Sequence, residues 1–264
     1  MNDAKIQFMT SLSDQFTEVE LNHIWKEAKF MGVDLHEEEM LVSTIERLSK
    51  NEPYQYIFGR AYFYDFELNV SSDVLIPRPE TEELVDLIAK DFMGLSPKII
   101  DIGTGSGCIA LALAKLLPKA SVSALDVSPK ALQIAAKNSE ELSLPIKLIE
   151  TNILSQKLDD TYDVIVSNPP YIPHVEKKLM EENVLKYEPH LALFVEDESA
   201  LIFYEEIANQ ALNCLKINGG LYFECNEFNA DAVKNMLIKK GFNRVEVLLD
   251  MQDKKRMIKA QLSK

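Results

Sequence analysis

The tetrapeptide Asn168-Pro169-Pro170-Tyr171, which follows the apolar run Val164-Ile165-Val166, has the composition of a loop that holds a planar NH2 group. The nitrogen of such a group shares its lone pair with a π system, so it is a weak nucleophile that must be directed at an electrophile. The Asn168 side-chain oxygen and a backbone carbonyl can accept its two hydrogens. Both prolines lack an N–H donor and stiffen the loop, and Tyr171 can stack on the planar group. The alternative interpretation is a proline-rich turn that ends a buried strand.

A glycine-rich loop lies upstream of this tetrapeptide. Residues 98–101 predict a short strand, Gly103-Thr104-Gly105-Ser106-Gly107 a turn, and residues 108–117 an apolar helix that stops at Pro118. Glycines let the backbone approach a ligand closely, and a helix N-terminus offers free N–H groups. The predicted cofactor-binding residues of this segment are Asp101, Gly103, Thr104, Gly105, Ser106 and Gly107.

A second predicted strand, residues 121–126, ends in the acid Asp126. In nucleotide-binding α/β sheets an acid about twenty residues after the glycine loop accepts hydrogen bonds from ribose hydroxyls. A helix-capping acid is the alternative, but Ser128-Pro129 already supplies a cap and a first-turn proline for the next helix. We therefore predict that Asp126 binds a ribose.

The glycine spacing departs from the dinucleotide pattern Gly-x-Gly-x-x-Gly, because the third glycine, Gly107, comes early. The Asn168 loop favours a sulfonium methyl donor over a nicotinamide. A weakly nucleophilic NH2 group and a donor with a strong leaving group need only to be positioned against each other. Both loops follow predicted parallel strands, whose carboxyl ends form the ligand-binding edge of open α/β sheets.

The segment Asp101-Ile102-Gly103-Thr104-Gly105-Ser106-Gly107, followed by Asn168-Pro169-Pro170-Tyr171, resembles S-adenosylmethionine-dependent methyltransferases of the amino-group type. Three further segments resemble the family that methylates a glutamine side-chain amide of peptide chain release factors, and the likeness extends from Glu52 to the C-terminus. These segments are Gln55-Tyr56-Ile57-Phe58-Gly59, Leu75-Ile76-Pro77-Arg78-Pro79-Glu80-Thr81-Glu82 and Tyr187-Glu188-Pro189-His190-Leu191-Ala192-Leu193.

The resemblance implies methyl transfer from S-adenosyl-L-methionine to the glutamine of a Gly-Gly-Gln loop. It implies that Asn168 and the Pro169 carbonyl grip the amide, and that Asn168 also belongs to the cofactor-binding residues. Asn152 and Ile153 would border the adenine, and the N-terminal domain would dock the release factor. Arg78 and Thr81 are candidates for supporting this site, and Glu224 either faces it or caps a strand.

The chain departs from this family at four positions. After Gly220-Leu221-Tyr222-Phe223-Glu224 the family usually has a glycine and then a glutamine, whereas this chain has Cys225, Asn226 and Asn229. Asn152 replaces the acid expected near the adenine amino group, so it can accept a hydrogen bond but brings no charge. We expect these changes to affect efficiency more than reaction type, and we expect Cys225 to be a buried, inert thiol.

Composition is typical of an intracellular enzyme. With 264 residues, 47% of them hydrophobic, the chain can bury one large core and one small core. No segment approaches the length of a membrane span, and the N-terminus lacks the pattern of a signal peptide. The three cysteines are far apart and form no Cys-x-x-Cys pair. We therefore expect a cytoplasmic monomer without a metal site.

The net charge of −14 and the pI of about 4.8 argue against a nucleic-acid partner, which a basic face would recruit. Solubility alone explains an acidic surface equally well. Two alternatives remain open at this point. One is an adenine- or guanine-amino methyltransferase acting on DNA or RNA, and the other is a catalytically inert interaction protein of the same fold.

These residues must be positioned by an α/β fold, which we predict to be a Rossmann-like, seven-stranded, mostly parallel sheet of the class I methyltransferase type. The predicted domains are a helical domain (1–52), a hairpin bridge (53–75) and a methyltransferase domain (76–264). Helices are expected at 17–31, 37–50 and 80–92. In the bridge, residues 55–58 and 61–70 are expected to form the two strands of a hairpin that turns at Gly59-Arg60. Sheet strands are expected near 98–101, 121–126, 146–150, 162–167, 220–224, 244–249 and 256–261, the last two as an antiparallel hairpin at the sheet edge.

Overall fold

The computed structural model describes residues 3–196 and 200–262, so the outer limits of the predicted domains, 1 and 264, lie outside the described residues. The helices are α1 (Asp3–Leu12), α2 (Glu18–Phe30), α3 (Glu38–Ser49), α4 (Tyr54–Phe58), α5 (Pro79–Phe92), α6 (Cys108–Leu116), α7 (Pro129–Glu141), α8 (Glu182–Tyr187), α9 (His190–Leu193), α10 (Ile202–Cys214) and α11 (Ala230–Lys239), with a 3-10 helix at His174–Leu179. The strands are β1 (Arg60–Phe63), β2 (Phe66–Asn69), β3 (Lys98–Ile102), β4 (Ser121–Asp126), β5 (Lys147–Glu150), β6 (Tyr162–Ser167), β7 (Ile172–Pro173), β8 (Phe194–Val195), β9 (Leu215–Glu224), β10 (Asn243–Leu249) and β11 (Lys255–Gln261).

A seven-stranded sheet in the order β10-β11-β9-β6-β3-β4-β5 forms the centre of the molecule. The five strands from β9 to β5 are parallel to one another, whereas β11 runs antiparallel to β9 and β10 antiparallel to β11. The predicted mostly parallel sheet and its antiparallel edge hairpin are therefore confirmed. Because β4 lies on one side of β3 and β6 on the other, the strand order reverses at β3. Ligands bind beside such a reversal, at the carboxyl ends of the strands.

Helices cover both faces of the sheet, so apolar residues of its central strands are buried on both sides. Ile99, Ile100, Val164 and Ile165 of β3 and β6 have no exposed surface. On one face β3 and β6 pack against α5, α6 and the β1–β2 hairpin, and on the other face against α10 and α11. This packing fixes the loops at the strand ends relative to one another.

The first three helices pack around a separate cluster that includes Phe8, Leu21 and Leu48. Helix α2 begins with a capping box in which Thr17 and Glu20 bond each other's backbone N–H groups. Helix α1 was not expected from the sequence, because its short segment buries only Phe8 and Leu12 and shows little periodicity.

The prediction of a strand at 55–58 is wrong, since these residues belong to helix α4. The Arg47 guanidinium caps this helix by donating to the carbonyls of Tyr56 (3.3 Å) and Ile57 (3.2 Å), and Gly59 ends it with a φ of 69°. The hairpin consists of β1 and β2 instead, and its turn is at Tyr64, with a φ of 56°. A contact with Arg47 thus stabilises a helix in a segment whose local pattern resembles a strand.

Candidate active site

A cavity of about 390 Å³ opens at the carboxyl ends of β3, β4 and β6. Its volume is in the range of small-molecule sites. The ends of these three strands, the loops that follow them and the loop after β5 supply ten of the predicted site residues to its lining. They are Gly103, Thr104, Gly105, Ser106, Asp126, Asn152, Ile153, Asn168, Pro169 and Pro170.

The glycine loop exposes backbone to this cavity. Gly103 and Gly105 have φ values of 75° and 55°, and a Cβ atom at either position would meet no atom within 4 Å. Both residues line the cavity, so a side chain there would strain the backbone and occupy ligand space. The N–H of Gly105 is already used, because it donates to Asp126 Oδ2 at 2.9 Å.

Asp126 is buried at the end of β4 and connects two loops. Its Oδ2 accepts from Gly105 and its Oδ1 accepts from the N–H of Ser128 at 2.9 Å. Each carboxylate oxygen can accept a second hydrogen bond. Ser128 caps α7 through its own hydroxyl, as the sequence predicted. The acid is therefore held rigidly at the cavity wall with acceptor capacity remaining.

The loop after β5 forms an apolar wall with a polar rim. Ile153 is 6% exposed, and Leu125, Phe203 and Ile207 line the same cavity. Asn152 is exposed, and its Oδ1 accepts from the N–H of Leu154 at 3.0 Å. A flat apolar ring with a polar edge fits this wall.

Two predicted residues support the glycine loop from behind the cavity lining. Asp101 is fully buried and accepts from the Thr104 hydroxyl at 2.6 Å. Burial raises the pKa of Asp101 to about 7, although the Thr104 hydroxyl acts in the opposite direction. Gly107 begins α6 with a φ of 84°, and a Cβ atom there would lie 3.2 Å from the Cβ of Ala135.

The structure does not place Tyr171 in the cavity, which corrects the predicted stacking role. The ring packs against the cluster that contains Tyr204, Phe223 and Cys225, because the chain turns toward α10 after Pro170. Burial raises the pKa of the Tyr171 hydroxyl to about 12. Tyr171 therefore anchors the loop instead of facing a ligand.

Asn168 follows β6 directly and is half-buried on the cavity wall. The preceding Ser167 donates its hydroxyl to the Ile102 carbonyl at 2.6 Å, which ties the ends of β6 and β3 together. The side-chain amide of Asn168 lies near enough to the buried carboxylate of Glu224, at the end of β9, to lower the pKa of that carboxylate. Sequence reasoning left the role of Glu224 undecided, since facing the site and capping the strand give the same local pattern.

The segment after the Asn168 loop folds back over the cavity. Strands β7 and β8 pair in parallel, and Pro189, Leu191 and Ala192 beyond α8 line the opening. The Arg78 guanidinium donates to Glu188 at 2.5 Å, and Glu188 is only 4% exposed. This ion pair joins two of the segments that carry the family resemblance, and the sequence analysis did not predict it.

The unusual residues after β9 hold the turn they occupy. Cys225 is buried, as predicted, and burial raises the pKa of its thiol to about 12, which disfavours the reactive thiolate form. The Asn226 side chain accepts from the N–H of Phe228 at 3.0 Å. The Asn229 amide donates to the Tyr171 carbonyl at 3.5 Å. Asn229 thus helps to support the loop that contains Asn168.

No acid–base pair lines the cavity next to Asn168 among the described residues. His174, which follows the loop, stacks on Phe194 at 5.4 Å outside the lining. Within residues 3–196 and 200–262 no group of His, Cys, Asp and Glu side chains could hold a metal ion. Nor does that part of the chain contain a helix long and apolar enough to cross a membrane.

Residues 79–191 match the family described as Methyltransferase small domain. The Release factor glutamine methyltransferase of Flavobacterium psychrophilum is 48% identical over 218 residues, which cover 81% of this chain and 76% of that protein. The protein of the same name from Bacteroides thetaiotaomicron is 45% identical over 237 residues, 88% of this chain and 85% of that protein. The crystal structure of a methyltransferase from Pyrococcus furiosus shares the fold, with a TM-score of 0.58 at 18% identity over 83% of this chain and 98% of that one.

Proposed function

The chain belongs to the release factor glutamine methyltransferase family, and on that premise we propose that it methylates the glutamine side-chain amide in the Gly-Gly-Gln loop of peptide chain release factors. The chain is a class I, S-adenosylmethionine-dependent methyltransferase. One observation supports the proposed reaction above others. One cavity is lined both by Asn168, the predicted amide-binding residue, and by the predicted cofactor-binding residues Gly103, Gly105 and Asp126.

The cavity residues fit S-adenosyl-L-methionine. The glycine loop leaves room for a chain of atoms close to its backbone, as shown by the open space where Cβ atoms of Gly103 and Gly105 would lie. We assign the ribose hydroxyls to Asp126 and the adenine to Ile153 and Asn152. When bound, this cofactor supplies an electrophilic methyl group on a positively charged sulfur with a neutral leaving group.

Asn168 and the Pro169 carbonyl hold the target amide. The Asn168 Oδ1 accepts one hydrogen of the glutamine NH2 group and the Pro169 carbonyl accepts the other. Both acceptors stand on a stiff loop, so the nitrogen lone pair is directed into the cavity. The rate gain comes from orientation and from dipoles that stabilise the nitrogen as its charge develops. The methylated amide then loses a proton to water, and the protein needs no general base.

We assign three parts to the chain: a helical domain (1–52) that docks the release factor, a bridge (53–75) and a methyltransferase domain (76–264). The separate hydrophobic cluster of α1 to α3 supports the first division. The net charge of −14 favours a protein partner over a nucleic acid. Three free cysteines fit a reducing compartment, and we propose that the chain acts in the cytoplasm as a monomer.

Mass spectrometry of a release factor incubated with the protein and S-adenosyl-L-methionine tests this function. We expect one added methyl group on the glutamine of the Gly-Gly-Gln loop. The matched control is a release factor whose loop reads Gly-Gly-Ala, which should gain no methyl group. Equal methylation of both release factors, or of neither, would contradict the proposal.

A further inference from the structure

Glu224 is a buried carboxylate next to the residue that grips the target amide. It ends β9, is 3% exposed and does not line the cavity. Strands β9 and β6 are parallel neighbours, with Ser167 paired to Phe223. Asn168 and Glu224 are the next residues on the two strands, so the sheet register itself brings them together.

Three elements hold Glu224 in place. The Thr81 hydroxyl of α5 donates to Glu224 Oε2 at 2.6 Å, and Thr81 is only 2% exposed. The Tyr204 hydroxyl of α10 donates to the Glu224 backbone carbonyl at 3.1 Å. The third neighbour is the Asn168 amide, which the strand register places beside Glu224 and which lowers the pKa of its carboxylate. The Tyr204 contact fixes the Glu224 backbone and the Thr81 contact fixes one carboxylate oxygen, which together keep the carboxylate beside Asn168.

An ionised carboxylate can only accept hydrogen bonds, so it must receive the NH2 end of the Asn168 amide. The oxygen end of the same amide is then directed away from Glu224. The NH2 group of the substrate amide can only donate, so it needs this oxygen as its acceptor. If the Asn168 amide were reversed, its own NH2 group would face the substrate NH2 group and no hydrogen bond could form. We propose that Glu224 is a positioning residue that sets the orientation of the Asn168 amide, with Thr81 holding the carboxylate. This inference rests on the proposed function.

Burial has the largest effect on Glu224 and leaves its pKa raised, and three neighbours favour the ionised form that the inference requires. Burial raises its pKa above the ordinary value, whereas the Thr81 hydrogen bond, the Arg256 charge and the Asn168 amide lower it. Arg256 itself is paired with Asp250 at 3.2 Å. Glu80 acts in the opposite direction to Arg256.

The isosteric variant Glu224→Gln tests the inference. A glutamine can present either end of its amide to Asn168, so the orientation is no longer fixed. We expect kcat for release factor methylation to fall about 10- to 100-fold. This decrease is smaller than the one expected when a preorganised contact is removed completely. The Kd of S-adenosyl-L-methionine, measured by calorimetry, and the KM of the release factor should change far less. An unchanged kcat would overturn the inference.

A double-mutant cycle separates positioning from a general structural role. If Glu224 acts through Asn168, adding Glu224→Gln to Asn168→Ala should leave kcat within about twofold of the single Asn168→Ala value. Losses that multiply would contradict the inference. Wild-type protein runs in parallel, and its failure to methylate the release factor would contradict the proposed function instead.

A second pair of variants covers the case in which Glu224→Gln does not fold. Thr81→Val removes the hydroxyl that holds the carboxylate and nearly conserves volume, whereas Thr81→Ser keeps the hydroxyl. We expect Thr81→Val to lower kcat about 3- to 10-fold, as expected for one lost hydrogen bond. Thr81→Ser should restore most of kcat. Equal kcat values for the two variants would overturn the inference.

Discussion

Asn168 is the residue on which the proposed chemistry depends most directly. We expect Asn168→Ala to lower kcat by about two to three orders of magnitude, the scale of losing one preorganised polar contact in a transition state. We assign the ribose and the adenine to other residues, so calorimetry should show a much smaller change in donor affinity. Equal losses of turnover and donor binding would mean that Asn168 mainly supports the cofactor.

For Asp126 we expect the main effect of a substitution on cofactor affinity. Asp126→Ala removes a fixed anionic acceptor, and we expect S-adenosyl-L-methionine binding to weaken by about 1.5 to 3 kcal/mol. Calorimetry measures this loss. The variant also frees the N–H groups of Gly105 and Ser128. Asp126→Asn is the matched control for this effect, since it keeps one oxygen acceptor in the same place. Unchanged affinity in Asp126→Ala would limit the acid to a structural role.

Asp101 predicts a pH dependence of stability. Its pKa is raised from 3.8 to about 7, chiefly by burial, so the native protein keeps a proton that the unfolded chain releases near pH 4. The stabilisation from this proton is fully present below about pH 4 and is lost as pH rises through about 7. Asp101→Asn is neutral at every pH and keeps an acceptor for Thr104.

Urea unfolding of both proteins at pH 5 and pH 8 measures this effect. The free energy of unfolding of Asp101→Asn, relative to wild type, should be greater at pH 8 than at pH 5. The size of the difference is on the order of 1 to 3 kcal/mol, since one pKa unit corresponds to about 1.4 kcal/mol. The same relative stability at both pH values would contradict a raised pKa.

The cavity-lining residues were predictable where their chemistry is local to a motif. Gly103, Asp126 and Asn168 follow strands directly, so residue type and strand order suffice to place them. The position of Tyr171 was not predictable, because it depends on the direction of the chain after Pro170 and on packing against α10. Glu224 needed the register of β9 against β6, which no local pattern reveals.

At the scale of elements, α4 shows how a tertiary contact overrides local preference. The residues of α4 are largely apolar and aromatic, which favours a strand. The Arg47 side chain satisfies two carbonyls at the end of the helix and pairs with Glu52 at 2.5 Å. Strands β3, β4 and β6, by contrast, were predicted correctly because short, mainly apolar segments that alternate with helices indicate buried parallel strands.

We therefore expect Arg47→Ala to lower the free energy of unfolding by about 1 kcal/mol. The loss is smaller than for a buried ion pair, because the Arg47 side chain is partly exposed and solvent screens its charge. Lys50→Ala is the matched control, since its pair with Glu46 is exposed and caps nothing. Its stability should equal that of wild type within error in the same urea titration. Equal stability of Arg47→Ala and wild type would show that α4 does not need this cap.

At the scale of the whole molecule, the strand order explains why distant motifs share one site. The reversal at β3 brings the loops after β3, β4 and β6 to one edge of the sheet. The segment that contains Arg78 lies at the start of α5, which packs on the sheet beside these loops. The segment that contains Glu188 is held there by its ion pair with Arg78. The parallel sheet was predictable from the alternation of strands and helices.

Net charge gives the last prediction at this scale. A chain with a net charge of −14 repels phosphates, and its amide-binding loop cannot itself distinguish a glutamine from a base. Selectivity must therefore come from docking a whole protein. With labelled S-adenosyl-L-methionine at low salt, where phosphate attraction is strongest, we expect label in the release factor and none in duplex DNA or RNA. Label in either nucleic acid would favour a base-amino methyltransferase and would contradict protein docking as the source of selectivity.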